Sequence, residues 1–215
     1  VLVRFQNVIF LVFPLIEMIT KYKYSTWKKF MSSDLKGIIF SSLSFILVLT
    51  PQMLILKAAH GSIIRGYQVI TYGNKLNILT SASNFFNVLF SSNHGLINWC
   101  PVLGLALIGL FMFYRKERKL SLMFLSAFLL NLIIVSGWEF WHASQSFGHR
   151  MFINLTVAFV FGFAYLLESL ERKVGFRYIL VTCLFLIGWN FGLMVQYGSR
   201  MISSGGAVPL FERVY

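Results

Sequence analysis

The chain has 215 residues, of which 57% are hydrophobic and 12% are charged, and its formal net charge is +12. Soluble domains contain about 25% charged residues, so this composition excludes an ordinary soluble globular fold. A positive charge of this size can indicate a nucleic-acid partner. Here the basic residues occur in short clusters beside apolar stretches, and that placement argues against nucleic-acid binding.

Six apolar stretches fill more than half of the chain, and most of them are 18 to 20 residues long. A helix rises about 1.5 Å per residue, so this length suits a crossing of ~30 Å of hydrocarbon. The sequence therefore predicts an all-α fold, a polytopic transmembrane helical bundle in a single domain, residues 1–215. In chain order the predicted spans are residues 5–20, 37–56, 97–114, 120–137, 151–168 and 178–197.

The connections between the spans alternate in charge. Twelve of the nineteen Lys and Arg residues lie in the first, third and fifth connections. Because basic loops stay on the cytoplasmic side, residues 21–36, 115–119 and 169–177 are predicted to be cytoplasmic. Connections 57–96 and 138–150, with the C-terminal tail, are then predicted to lie outside. The basic clusters also suit anionic lipid headgroups.

The longest outer connection, residues 57–96, has its own predicted structure. Residues 82–91 are apolar but too short to span, which predicts a short helix lying in the interface. Residues 69–72 fit either a short strand or a turn.

The N-terminus indicates that the chain belongs to something longer. Six spans with a cytoplasmic first loop place residue 1 outside, yet the chain begins with Val and has no n-region or cleavage site. We therefore expect the chain to be the C-terminal part of a longer protein.

Polar chemistry is concentrated on the predicted outer face, where all four histidines lie. The densest cluster is residues 138–150, which ends with Arg150 at the mouth of the fifth span. A guanidinium there offers planar donors for a phosphate at headgroup depth, and His149 is placed to act as a donor or proton carrier. An aromatic belt with a snorkelling arginine explains the same residues, so both interpretations remain open.

Several catalytic arrangements are absent from the outer loops. Glu139 is the one outer-loop carboxylate, whereas paired acid–base chemistry needs two. The single Asp of the chain is on the predicted cytoplasmic side, which excludes an outer Ser-His-Asp triad. The spacing of His142 and His149 matches no metal-ligand signature. Cys100 and Cys183 lie in apolar stretches and indicate no disulfide or zinc framework.

Two segments carry a family resemblance. Residues 89–110 read LFSSNHGLINWCPVLGLALIGL, and residues 137–168 read GWEFWHASQSFGHRMFINLTVAFVFGFAYLLE. They resemble the "lFSs-x-x-GLf-W-x-P" and "W-x-x-x-x-SFG-x-R" elements of bacterial polytopic glycosyltransferases. These belong to the GT-C superfamily, near its protein-mannosyltransferase and aminoarabinose-transferase-like branch. The likeness is clear over the middle of the chain and rests on topology elsewhere.

The resemblance implies a transferase of the bacterial inner (cytoplasmic) membrane. Such an enzyme moves a sugar from a polyprenyl-phosphate donor to an acceptor glycan, lipid or protein at the outer face. In the family an acidic residue in the first outer loop acts as base or metal partner. That loop is absent here, so the catalytic residue, with any divalent metal, is expected upstream of residue 1. Its role is not transferred to Glu139.

The resemblance also implies which residues contact the donor. Arg150 matches the arginine of SFG-x-R, and His94 lies in the FSS-x-x-G segment. Negative charge builds on the phosphate as the sugar leaves, and fixed cations near the membrane surface would stabilise it. Residues 146–148 are expected to shape the turn that aims the arginine. The predicted contacts of the donor phosphate are Arg150, His149 and His94, and those of the sugar or lipid are Trp138, Trp141 and Glu139.

Two other functions remain open. A transporter or flippase of a lipid-linked or anionic substrate would need polar groups at mid-depth in the spans. The notable candidates are Asn131, Asn154 and Asn190, without an intramembrane acid–base pair. A polymerase or ligase of lipid-linked glycans would use similar outer-loop chemistry.

Overall fold

In a computed structural model of the protein, every regular element among the described residues is a helix. The predicted all-α class is therefore confirmed. Residue contacts divide the chain into two units, residues 1–75 and 76–215. The described residues are 5–21, 35–61, 78–138, 141–142 and 146–202.

The first unit contains a 3-10 helix, Phe5–Leu11, that continues directly into α1, Val12–Lys21. It also contains α2, Leu35–His60, which has Pro51 inside it. Proline lacks the N–H that would bond the carbonyl four residues earlier. The Thr50 hydroxyl, just before the proline, donates to the Ile46 carbonyl at 2.8 Å.

The second unit contains six α-helices and one 3-10 helix among the residues that the structure describes. They are α3, Ile78–Phe90; α4, Leu96–Trp99; α5, Pro101–Phe113; α6, Arg118–Ser136; the 3-10 helix Arg150–Leu155, which leads into α7, Thr156–Val174; and α8, Phe176–Gly198.

Four helical segments are long and apolar enough to cross a membrane, and they coincide with the second, fourth, fifth and sixth predicted spans. By length and composition the chain is thus a membrane protein. The helices of the other two predicted spans are shorter, Ile9–Thr20 and Pro101–Phe113. The four long segments are Ile39–Ala59, Arg118–Ser136, Arg150–Val174 and Phe176–Gly198.

The third predicted span is interrupted near its start. Cys100 has φ −140° and ψ 75°, and it separates α4 from α5. The residue before a proline is disfavoured in the helical region. Pro101 itself suits the first position of a helix, where its missing N–H has no partner to lose. Residues 97–114 are therefore not one helix.

The short apolar helix predicted at residues 82–91 is present as α3, which begins earlier, at Ile78. Its place in the membrane interface stays a prediction. Val88 is buried on α3, whereas Phe86 is 68% exposed. The Asn84 amide donates to the Ser136 carbonyl at 3.3 Å, which ties α3 to the end of α6. Residues 69–72 lie outside the described residues.

The closest helix contact in the second unit joins α5 and α7. A Cβ on Gly109 would overlap the carbonyl oxygen of Gly162, and a Cβ on Gly162 would overlap the carbonyl oxygen of Ala106. Small residues let helix backbones approach in a membrane, where van der Waals packing drives association. The two helices run in the same direction, since Phe113 contacts Tyr165 about one turn further along each helix, with ring centroids 5.2 Å apart.

Two fully buried polar side chains of α6 bond backbone carbonyls of neighbouring segments. The Ser121 hydroxyl donates to the Leu110 carbonyl at 2.7 Å. The Asn131 amide donates to the Met151 carbonyl at 3.1 Å. Because unpaired backbone groups are costly in hydrocarbon, these bonds hold α6 against α5 and against the 3-10 start of α7.

Replacing Gly109 by Ala should destabilise the second unit by about 1–3 kcal/mol, because the new methyl group meets backbone that cannot rotate away. Reversible unfolding in mixed micelles measures the free energy of unfolding. The matched control is Gly188→Ala in α8, whose Cβ would meet no atom within 4 Å. The control should be neutral or slightly stabilising, because Ala favours a helix over Gly. Equal losses in both variants would contradict the close approach of α5 and α7.

Candidate functional site

A cavity of about 420 Å³ lies between α5, α7 and α8 in the second unit. The wall from α7 consists of residues at helical spacing, so one face of that helix lines it. That face comprises Thr156, Phe159, Val160 and Phe163. The wall from α5 is also apolar and includes Val102, Leu103 and Ala106.

The cavity is open along its side. Ile153 and Val160 belong to its lining, yet they are 67% and 60% exposed. An opening lined by exposed apolar side chains suits contact with the hydrocarbon of a bilayer.

Two of the three predicted phosphate contacts, His149 and Arg150, line the cavity. We call the end of the cavity that these two residues line its mouth. Arg150 is exposed and begins the 3-10 helix, while His149 is 8% exposed. Gly148 precedes them with φ +59°, a left-handed conformation that favours glycine. The expected turn before the arginine is therefore present, and it brings both side chains to the cavity.

His94, the third predicted contact, lies behind the cavity wall. It is fully buried, and its ring stacks on Trp99 with centroids 4.7 Å apart and planes 20° apart. Trp99, in contrast, lines the cavity. The His94 backbone has φ 60°, which is uncommon for a residue other than glycine. The structure thus places His94 one ring away from the cavity, in contact with its wall.

An aromatic cluster supports the mouth. The ring of Trp99 contacts Phe147 edge-on at 5.5 Å and Tyr197 at 6.1 Å, and its indole N–H donates to the Ser92 carbonyl at 3.1 Å. Edge-to-face pairs of this kind add to the burial of the rings. Because Phe147 precedes the Gly148 turn, the cluster fixes the segment that carries His149 and Arg150.

A polar contact between two side chains also belongs to the lining of the cavity. The Asn190 amide of α8 is 3.3 Å from the Cys100 sulfur, and both residues line the cavity. This contact joins α8 to the break between α4 and α5.

The structure describes two of the three predicted sugar or lipid contacts, and it does not bring them to the cavity. Trp138 and Trp141 are half-buried, and neither belongs to the cavity lining. The ring of Trp141 meets that of His142 edge-on at 5.7 Å. Glu139 lies outside the described residues.

Sequence reasoning missed Trp99 and Asn190 as lining residues, and it treated Phe147 only as part of a turn. A signal for the two aromatic residues was present, because Trp99 and Phe147 belong to the segments that carry the family resemblance. For Asn190 only its polarity inside an apolar span was visible, and that indicated a transporter as much as a binding site.

The two basic side chains at the mouth differ in charge. Burial, together with the nearby His94, lowers the pKa of His149 to about 4. At neutral pH His149 is therefore uncharged, and both of its ring nitrogens are buried, whereas an arginine side chain keeps its positive charge.

Residues that could hold a divalent metal are not brought together in the described part of the chain. No group of three His, Cys, Asp or Glu side chains suited to a metal ion occurs there.

Comparison with known proteins identifies no relative of this chain. No protein-family model matches the chain, and no curated protein or solved structure matches it. The family resemblance of residues 89–110 and 137–168 stays a prediction from the sequence.

Acidification should destabilise the protein through His149. Its pKa is about 4 in the fold against 6.5 for the ordinary side chain, so the unfolded chain binds the proton more readily. The free energy of unfolding should fall as the pH drops from 6.5 towards 4, by at most about 3 kcal/mol. Thermal unfolding in detergent across this range measures the slope.

The variant His149→Asn should lose that part of the slope. The variant His142→Asn should keep most of it, because His142 is the smallest of the causes that lower the pKa of His149. If the three proteins show the same pH dependence, His149 is not buried in its neutral form.

Proposed function

We propose that this chain is part of an integral membrane glycosyltransferase. The enzyme moves a sugar from a polyprenyl-phosphate donor to an acceptor glycan, lipid or protein at the outer face of the bacterial cytoplasmic membrane. The observation that supports this most directly is the cavity, with apolar walls, a lateral opening and Arg150 at its mouth. Residues 89–110 and 137–168, which carry the family resemblance, contribute most of its lining.

The shape and polarity of the cavity suit an amphiphile. From Arg150 its lining continues through Phe159 to Phe163, along two turns of α7. A prenyl chain would lie against this apolar face and enter past Ile153 and Val160, which are exposed. Its phosphate would then meet the guanidinium, because chain and headgroup are joined end to end.

The chemistry of the mouth suits a departing phosphate. When the bond between the sugar and the phosphate oxygen breaks, the electron pair stays on that oxygen and negative charge grows there. Arg150, which is exposed, can donate two parallel N–H bonds to it. His149 lines the same end of the cavity, but both of its ring nitrogens are buried, so its imidazole would have to turn before it could donate to the phosphate. Donors fixed where charge develops lower the barrier, and removal of one such donor costs about 10²–10³ in kcat.

The described residues bind the donor in this proposal, and no step runs through a metal. The acidic group that the resemblance implies belongs to a first outer loop. His94 then acts on the donor site through Trp99, by holding the indole that forms the wall.

The same geometry bears on the two other functions, a transporter or flippase and a polymerase or ligase. Asn131 bonds the Met151 carbonyl and Asn190 contacts Cys100, so these mid-span amides, which were considered for a transporter, already bond within the protein. A polymerase or ligase of lipid-linked glycans would use the same cavity. The product of the reaction, one transferred sugar or a whole glycan, separates these enzymes.

Arg150→Ala in the full reading frame should lower sugar transfer from a polyprenyl-phosphate donor at least about a hundredfold. Arg150→Lys should recover part of the rate, because an ammonium keeps the charge but not the paired donors. The control is Arg200→Ala, an exposed arginine after α8, which should retain full turnover. Wild-type turnover of a well-folded Arg150→Ala protein would remove Arg150 from the mechanism.

Occupancy of the cavity can be read from two cysteines. Both are half-buried, but Cys100 lines the cavity and Cys183 does not. In the single-cysteine variants Cys183→Ser and Cys100→Ser, a polyprenyl phosphate should slow maleimide labelling of Cys100 severalfold and leave Cys183 unchanged. Inorganic phosphate should protect neither. Absence of protection at Cys100 would contradict the cavity as the lipid site, whatever the turnover of the arginine variants.

A further inference from the structure

The other end of α7 carries a concentrated positive charge that the proposed function does not use. It is formed by two turns, residues 115–119 between α5 and α6 and residues 168–177 around the junction of α7 and α8. We call these two turns the basic end. Together they hold seven Lys or Arg and three Glu, a net charge of +4.

A tertiary contact brings the two turns side by side. The Lys116 ammonium is 3.7 Å from the Glu168 carboxylate and lies over the Tyr165 ring at 5.5 Å. The turns are about fifty residues apart in sequence, so only the packing of α5 on α7 makes them one surface. The charges of the two turns therefore belong to one surface.

The carboxylate at the centre of this surface is already neutralised. Arg172 bonds Glu168 at 2.6 Å, in addition to Lys116. Arg115, Lys173 and Arg177 are exposed. Gly175, with φ +85°, joins α7 to α8 through a single residue. Lys173 and Arg177 lie two residues before and two residues after this junction.

Apolar and aromatic side chains border these cations. Phe176 is 62% exposed and Tyr178 is 72% exposed, at the start of α8, and Phe111 is 66% exposed near the end of α5. The Arg118 guanidinium lies 5.4 Å from the centroid of the Tyr114 ring. Cations beside exposed apolar rings match the two parts of a phospholipid, an anionic headgroup and its acyl chains.

We propose that the basic end is one binding site for the headgroup of an anionic phospholipid, whose acyl chains lie along the exposed rings of α5 and α8. A nucleic acid would match the charge but would leave these rings exposed. The site lies at the opposite end of α7 from Arg150, so it does not depend on the proposed transferase activity.

The test compares lipids that differ only in charge. The purified protein is placed in micelles of a neutral detergent with equal amounts of phosphatidylglycerol and phosphatidylcholine, and the lipids that it retains are measured by native mass spectrometry. We expect phosphatidylglycerol to be enriched, and high salt to reduce the enrichment, because salt screens exposed charges.

The double variant Lys173→Gln with Arg177→Gln should weaken retention of phosphatidylglycerol roughly 25-fold, about fivefold for each cation. Arg200→Gln removes one exposed arginine at the far end of α8 and should change retention less than about twofold. The swap Lys173→Arg with Arg177→Lys keeps the charge and should restore retention, which separates lost charge from lost folding.

Several results would overturn the proposal. These are equal retention of the two lipids by the wild-type protein, an equal loss in Arg200→Gln, or displacement of the lipid by inorganic phosphate or a short RNA at similar concentrations. Sugar transfer should be unaffected at saturating donor, so failure of either proposal can be recognised without the other.

Discussion

The contact of α5 with α7 at Gly109 and Gly162 organises the second unit. No side chain separates the two backbones there, so the parallel helices α5 and α7 are in direct backbone contact. On the N-terminal side of the contact, the same helices line the cavity through Ala106 and Phe159. On the C-terminal side they bring Lys116 to Glu168. One close approach therefore positions both an apolar cavity with a cationic mouth and a basic surface at the far end.

Polar side chains in this unit serve mainly to hold segments where helices end. Asn131 bonds the Met151 carbonyl at the 3-10 start of α7, and Trp99 bonds the Ser92 carbonyl before α4. In hydrocarbon an irregular backbone is tolerated only where its groups find partners within the protein. The segment around His149 and Arg150 meets this requirement through its neighbours, and it is where the proposed donor phosphate binds. Structural and functional demands on these residues thus coincide at the mouth.

Four of the predicted spans could be read from the sequence, because a spanning helix bonds its own backbone and needs only length and hydropathy. The break in the third predicted span could not be read in this way. The apolar run through residues 97–114 continues across Cys100, and only the steric effect of Pro101 on the preceding residue breaks the helix. The site was predicted in part for a similar reason. His149 and Arg150 are adjacent in sequence to the turn that aims them, whereas Trp99 and Asn190 reach the cavity from helices distant in sequence.

Length and hydropathy determined by themselves that this is an all-α membrane protein, and the alternation of charge predicted a basic and a histidine-bearing face. These properties belong to single helices and loops, so neighbours do not change them. Only the tertiary structure decided that His94 lies behind Trp99, that an apolar cavity opens beside Arg150, and that two basic turns form one surface. Each of these depends on how closely particular helices approach, and that distance is set by small residues and packing rather than by the apolar pattern that the sequence displays.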